Sequence, residues 1–199
     1  MSPTFILASG SAIRAQLLRQ AGMTFDTVKP RVDEQMIKDA LVSEGATPRD
    51  IADTLAEMKA RKVSEKHPGA LVMGADQVLD LKGTMLSKPN DIDDARAQLR
   101  IMRGQQHSLL SAAVIYEDGK PIWRHVGQVR LRMREISDAY LDDYLDRNWD
   151  SIRHAVGCYK LEEEGVRLFS NIQGDYFHVL GLPLLELLNY LTLRGDLPA

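Results

Sequence analysis

Apolar and polar positions along the chain follow two rhythms, a strand-like one and a helical one. A short apolar run, "TFILAS", predicts a buried strand. Ser9-Gly10-Ser11 follows, and then a helical pattern that puts Ile13, Leu17, Leu18 and Ala21 on one face. Ser11 is placed to cap this helix and Gly22 to stop it. "FDTVKP" predicts a second strand, leading into a polar loop with Val32, Asp33 and Glu34. Residues 48–65 read as a helix opened by Thr47-Pro48, with an apolar arc of Ile51, Ala52, Leu55, Ala56, Met58 and Val63. "GALVMGADQVLDL" is the strongest strand signal, "SKPND" a turn, and Asn90 or Asp91 the cap of a helix ending near Gly104. "SLLSAAVIYEDGKPIWRHVGQVRLRM" predicts two long strands around an Asp118-Gly119 turn. In the second of them Val129, Leu131 and Met133 alternate with Arg130, Arg132 and Arg134, one face buried and one wet. Ser137 caps a short helix to about Arg147, and "GCYKL" and "VRLFSNI" read as strands. "LPLLELLNYLTLRG" closes the chain as a largely buried helix. The mixture predicts an α/β fold around a mixed sheet, with antiparallel hairpins in the second half.

Composition narrows the function classes. The chain has 199 residues, 44% hydrophobic and 27% charged, with a net charge of −3. That length suits one domain, residues 1–199, with a proper core. The balance gives no electrostatic reason to expect nucleic acid or an anionic membrane as partner, so any bound anion must be held by a local cluster of charge. No apolar stretch approaches the roughly 20 residues needed to cross a bilayer, and the N-terminal run is too short for a signal peptide. The single cysteine, Cys158, excludes an internal disulfide and a zinc site built on cysteines, and is compatible with a reducing cytosol. The five histidines form no H-x-x-x-H or H-E-x-x-H pattern, so spacing predicts no zinc site. His107 and Cys158 read as structural.

Six charged positions stand out against this background, five of which, Arg14, Glu34, Lys59, Asp76 and Lys88, mix two acids with three cations. Arg14 falls in the first turn of the first helix, where the dipole is positive and a cation is unwelcome. A strand, small residues and a helix N-terminus together expose backbone N–H groups to an anion, with Ser9 and Ser11 adding hydroxyls and Gly10 allowing close approach. Arg14 can then turn back over the loop toward the same anion; a capped helix with a solvated Arg is the plain alternative. Asp76 and Gln77 interrupt a near-continuous apolar strand, which demands a cation, a metal, or a strand that stops at Ala75. Lys59 falls near the middle of an apolar helical arc, either snorkelling or directed into a pocket. Lys88 precedes Pro89, which holds it extended, and Glu34 and Glu162 sit in acidic loops that are solvated by default. Two acids, three cations and a helix N-terminus suit a magnesium triphosphate, since Mg²⁺ takes one or two carboxylates and completes its shell with phosphate oxygens and water.

The order and wording of these segments resemble the Maf nucleotide pyrophosphatases over nearly the whole chain. The family's L-A-S-x-S-x-x-R is matched by Leu7 to Arg14, V-D-E by Val32-Asp33-Glu34, and A-x-x-K-A by Ala56 to Ala60. A-D is matched by Ala75-Asp76, K-P by Lys88-Pro89, G-D-Y by Gly174-Asp175-Tyr176, and V-x-G-L-P-L by Val179 to Leu184. The resemblance implies an elongated mixed sheet with flanking helices, two lobes around a deep cleft, and an ITPase-like fold. It implies a cytoplasmic homodimer that hydrolyses nucleoside triphosphates to monophosphate and diphosphate and clears non-standard nucleotides. Asp76, Lys59, Lys88 and Glu34 match catalytic positions, with Glu34 and Asp76 holding a divalent metal, Mg²⁺ or Mn²⁺. Ser9 and Arg14 match phosphate-handling positions, and Gly10 and Ser11 of the same loop are substrate-binding candidates beside them. Ile13, Gln77 and Glu162 fall where the family's branches differ; Gln77 and Glu162 follow the 7-methyl-GTP branch, while Ile13 departs from its Trp. The expected specificity is therefore purine-leaning or broad. A nucleotidyltransferase and a non-catalytic nucleotide-binding regulator of cell division are the alternatives.

Overall fold

Seven strands among the described residues join one mixed sheet, and their order explains why the first loop is where it is. The computed structural model describes residues 3–198; Met1, Ser2 and Ala199, the ends of the expected domain, lie outside them. The elements run β1 (Phe5–Ala8), α1 (Ala12–Gln20), β2 (Asp26–Thr27), α2 (Glu34–Ser43), α3 (Pro48–Ser64), β3 (Leu71–Leu81), β4 (Thr84–Leu86) and α4 (Ile92–Met102). They continue with β5 (Gln106–Glu117), β6 (Lys120–Met133), α5 (Asp138–Ile152), β7 (Phe169–Gln173), α6 (Tyr176–Val179) and α7 (Leu184–Arg194). Sheet order is β2-β1-β3-β5-β6-β7, with β4 on β3. β1 pairs parallel with both β2 and β3, in a register that sets Ala8 opposite Gly74; β3–β4 and β6–β7 are antiparallel. Ser9 therefore leaves the carboxyl end of a parallel strand beside the point where β3 runs on toward Asp76, the place where open parallel sheets bind ligands.

The chain divides into two compact units. The first comprises Met1–Gln77, Ser111–Gly127 and Tyr176–Ala199, the second Val78–Leu110 and Gln128–Asp175. In the first, Leu7, Leu18, Met73, Ile115, Leu182 and Leu187 centre an apolar cluster that joins β1, α1, β3, β5 and α7. In the second, Leu99, Met102, Leu109, Leu131 and Leu145 are fully buried. There the buried polar groups are neutral. Tyr144 donates to the Cys158 carbonyl at 3.1 Å, and His107 Nε2 lies 2.8 Å from the Tyr159 hydroxyl. Burial pulls the His107 pKa down to about 4 and pushes the Cys158 thiol up to about 12.

Most predicted elements are present, and the departures have physical causes. Ser11, Thr47, Asp91 and Ser137 cap α1, α3, α4 and α5, each accepting a backbone N–H three residues on. Asp118 (φ 47°) and Gly119 (φ 75°) both take the left-handed turn that joins two strands tightly. The polar loop after β2 is instead capped by Asp33 and continues as α2; none of its residues is buried, so no apolar face announced it. Ala21 lies past the end of α1 and is exposed, while Arg14 is buried in its place. Met58 is 39% exposed, and Lys59 takes the buried position on α3. "GCYKL" is not a strand: Gly157 (φ 78°) and Cys158 (φ 59°) curl it into a 3₁₀ turn. α5 runs on to Ile152, beyond the expected end at Arg147. β4 and the one-turn α6 are too short to show a period.

Candidate active site

Arg14 resolves the oddity of its own position. Its guanidinium turns back from α1 and is held by carbonyls: Nε donates to Gly181 O at 2.7 Å and Nη1 to Ala75 O at 3.1 Å. Nη1 also donates to the Ser9 hydroxyl at 3.3 Å, and that hydroxyl accepts the Ser11 N–H at 3.2 Å. Burial lowers the Arg14 pKa, and the nearby charges of Asp76 and Glu34 oppose that shift. A first-turn cation is thus supported by two carboxylates and two backbone carbonyls, one from within β3 and one from the turn after α6. The N–H groups of Gly10, Ala12 and Ile13 donate to no acceptor among the described residues. These are the orphan donors of a helix N-terminus, left for an anion.

Asp76 lies within β3, which continues without a break to Leu81, so the strand does not stop at Ala75. Its buried carboxylate is paired: Lys59 Nζ donates to Asp76 Oδ1 at 2.7 Å and lies 3.1 Å from Glu34 Oε2. The Lys59 and Asp76 side chains are 6% and 10% exposed, while Glu34 is half exposed. Gly74 makes this pair possible. A Cβ there would run into the Ala56 carbonyl and the Ala60 amide, so α3 lies directly against β3 one turn from Lys59. Glu34 opens α2 immediately after its Asp33 cap, where a negative charge is favoured by the helix dipole. The cluster of Arg14, Lys59, Asp76 and Glu34 therefore sums to zero formal charge, with donors and acceptors side by side.

Nine of the sequence-predicted positions fall in the first unit: Ser9, Gly10, Ser11, Ile13, Arg14, Glu34, Lys59, Asp76 and Gln77. Ile13 is partly buried and packs on the apolar cluster. The Gln77 amide nitrogen donates to His178 O at 2.9 Å, Val179 O at 3.0 Å and Ser111 Oγ at 3.0 Å. Because Ser111 Oγ itself donates to His178 O at 2.7 Å, every one of these partners is an acceptor, and the amide orientation follows. The Gln77 N–H₂ is thus fully engaged by the protein. Lys88 and Glu162 belong to the second unit, where each is exposed.

A family model described as "Maf-like protein" matches residues 4–193. The chain belongs to the Maf-like family. A nucleoside triphosphate pyrophosphatase of Roseobacter denitrificans is 69% identical over 198 residues, covering 100% of both chains. Proteins of the same name from Ruegeria pomeroyi and Caulobacter vibrioides are 69% identical over 195 residues and 54% over 191, covering 98% and 96% of each chain. No helix among the described residues is long and apolar enough to cross a membrane.

Within this Maf-like chain, three residues that are not among the expected site residues shape the site. The Lys29 side chain lies alongside Gly10, 3.6 Å from where a Cβ would sit, and adds a cation beside the loop. Its signal was the Lys29-Pro30 pair, the same wording as Lys88-Pro89. Gly181 (φ 92°) gives Arg14 its carbonyl, and a side chain there would press on Nη2 at 3.2 Å. Gly74 admits α3. The donor set also suits a hard divalent cation: Glu34 and Asp76 carry oxygens that converge on one nitrogen, and Mg²⁺ needs one or two such carboxylates with water and phosphate for the rest.

Proposed function

We propose that this Maf-like chain hydrolyses nucleoside triphosphates at the α-phosphorus, releasing nucleoside monophosphate and pyrophosphate. The observation that carries the reading is the buried Lys59–Asp76 ion pair, set beside the clamped Arg14 and the open N–H groups of the first turn of α1. A divalent cation, Mg²⁺ or Mn²⁺, would be held by Glu34 and Asp76, and would supply neutralisation of phosphate charge and a lowered pKa for bound water. The chain's own groups do the rest. The Gly10, Ala12 and Ile13 amides receive phosphate oxygens, with Ser9 and Ser11 ordering the loop through their hydroxyls. Arg14 and Lys59 stabilise charge growing on the departing pyrophosphate, a role that the family resemblance alone extends to Lys88. A water oxygen bonds to the α-phosphorus, the bridging α–β oxygen leaves with pyrophosphate, and the water proton passes to the carboxylate pair.

Lys88 and Glu162 enter through the family resemblance, Glu162 as the reader of the base. A carboxylate accepts from guanine N1–H and N2–H₂, donors that a pyrimidine keto edge lacks, so the specificity leans toward purines and 7-methyl-GTP. Housecleaning of non-standard nucleotides by a cytoplasmic homodimer, working as one 1–199 domain, completes the reading. The 69% identity to proteins named nucleoside triphosphate pyrophosphatase supports the hydrolysis; housecleaning, compartment and dimer rest on the family resemblance. The test is a panel of normal and modified triphosphates in ¹⁸O-labelled water, with and without divalent metal. The expected result is one label in the monophosphate and none in pyrophosphate; label in pyrophosphate, or release of orthophosphate alone, overturns the assignment. Glu162→Gln is expected to move the substrate ranking away from guanine nucleotides, and an unchanged ranking removes Glu162 from the role.

A further inference from the structure

A second polar cluster of the first unit lies on other residues. His125 on β6, His178 on α6 and Glu186 in the first turn of α7 bring their ligand atoms within 4.8 Å of one another. His125 Nε2 is 3.7 Å from Glu186 Oε1, and His178 Nε2 is 3.7 Å from Glu186 Oε2. Neither contact is a hydrogen bond at that length. Glu186 Oε2 is buried and accepts no hydrogen bond among the described residues, the mark of a group awaiting a partner. The rings are set with care. Trp123 stacks on Tyr190 at a centroid distance of 5.4 Å, and the His125 ring lies nearly parallel to Trp123 at 6.3 Å, which orients the imidazole without locking it. Gly127 leaves room for His178, whose ring any side chain at that position would strike.

We propose that His125, His178 and Glu186 form a second metal site, for a borderline divalent ion of the Zn²⁺ or Co²⁺ kind, which fastens β6 to the α6–α7 segment. Two imidazoles and one carboxylate are a common set for such ions, leaving a fourth position for water, whereas Mg²⁺ prefers oxygens alone. Ligand atoms around a tetrahedral ion stand about 3.3–3.5 Å apart, given bonds near 2.0–2.1 Å. A small inward turn of the half-exposed His125 closes the present spacing. The chemistry separates this site from the oxygen-only pair of Glu34 and Asp76. Its position gives it a consequence: the same segment supplies His178 O and Val179 O to Gln77 and Gly181 O to Arg14. An ion here would steady the backbone that holds two residues of the first cluster. Sequence spacing hid the site because its ligands come from three separate elements.

The test is titration of the chelator-stripped full chain with Co²⁺, followed by visible absorption. One equivalent is expected to produce ligand-field bands of a tetrahedral or five-coordinate ion, displaced by Zn²⁺ and untouched by excess Mg²⁺. Asp76→Asn should keep the bands; His125→Ala and Glu186→Gln should each lose them and weaken Zn²⁺ binding at least tenfold by calorimetry. With free Zn²⁺ about 100-fold above its dissociation constant, the melting temperature of the unaltered chain should rise by about 5–10 °C, and that of His125→Ala should stay put. Absent bands in the unaltered chain, or bands of equal strength in both His125→Ala and Glu186→Gln, overturn the proposal. If His125→Ala does not fold, Glu186→Gln alone decides it.

Discussion

The two units bury their polar groups in opposite ways. In the first, Arg14, Lys59 and Asp76 are 9%, 5% and 7% exposed and carry formal charges, paired with one another or held by carbonyls. In the second, His107, Tyr144, Cys158 and Tyr159 are buried as neutral groups, each driven toward its uncharged form by loss of water. Both solutions satisfy the interior, but at different cost. A neutral, hydrogen-bonded group adds modest stability. A buried ion pair pays desolvation that its attraction barely returns, and an apolar pair of similar volume is often as stable or better. Charges kept buried where neutral packing would serve point to a task beyond folding.

The comparison breaks most readily at Asp76. Asp76→Asn keeps shape and the hydrogen bond from Lys59, yet removes the charge. Pyrophosphate release is expected to fall about a thousandfold, near 4 kcal/mol in barrier, with a smaller loss of stability than in Lys59→Met because Lys59 keeps Glu34 as its ion-pair partner. Lys59→Met should cost stability as well, about 3–5 kcal/mol by urea unfolding, because Asp76 is left buried without its cation. Lys59→Arg should not restore turnover, since a planar fork does not fit where a compact ammonium sits between two oxygens 2.7 and 3.1 Å away.

The second unit gives the contrasting pH response. The His107 pKa is about 4 in the fold and near 6.5 in the unfolded chain. Between those values the unfolded chain binds the extra proton, so stability rises with pH from 4 to 6.5 and is fully present above. Protonation inside would also leave Nδ1, which is buried and has no hydrogen-bond partner among the described residues, with a proton and no acceptor. The expected loss between pH 7 and pH 4 is up to about 3 kcal/mol in the unfolding free energy read from urea titration, and His107→Phe should flatten that part of the profile. Gly74→Ala has the smallest expected effect. Pushing α3 off β3 should cost about 1–3 kcal/mol, and activity should fall with it as Lys59 shifts from Asp76. A chain as stable and as active as the original would mean that the close approach at Gly74 does not position the pair.

Sequence alone carried much of this. Caps, the Asp118-Gly119 turn, the alternation of Val129 and Leu131 with Arg130 and Arg132, and the misfit of Lys59 and Asp76 are local signals, readable wherever residue type conflicts or agrees with period. α2 was invisible because no face of it is buried, and "GCYKL" misled because positive φ at Cys158 cannot be foreseen from a short apolar run. The candidate site was half legible. That Asp76 needs a cation follows from its burial; that the cation is Lys59, and that Arg14 is clamped by Gly181, depend on tertiary contacts 17 and 167 residues apart in the chain. The His125, His178 and Glu186 cluster had no spacing signal at all.

The most direct measurement is a double substitution, Lys59→Met with Asp76→Leu, assayed for urea stability and for pyrophosphate release. If the buried charges are kept for chemistry, the double variant recovers most of the stability that Lys59→Met loses and releases no pyrophosphate. A double variant as unstable as Lys59→Met alone, or one that still turns over nucleoside triphosphate, contradicts the account.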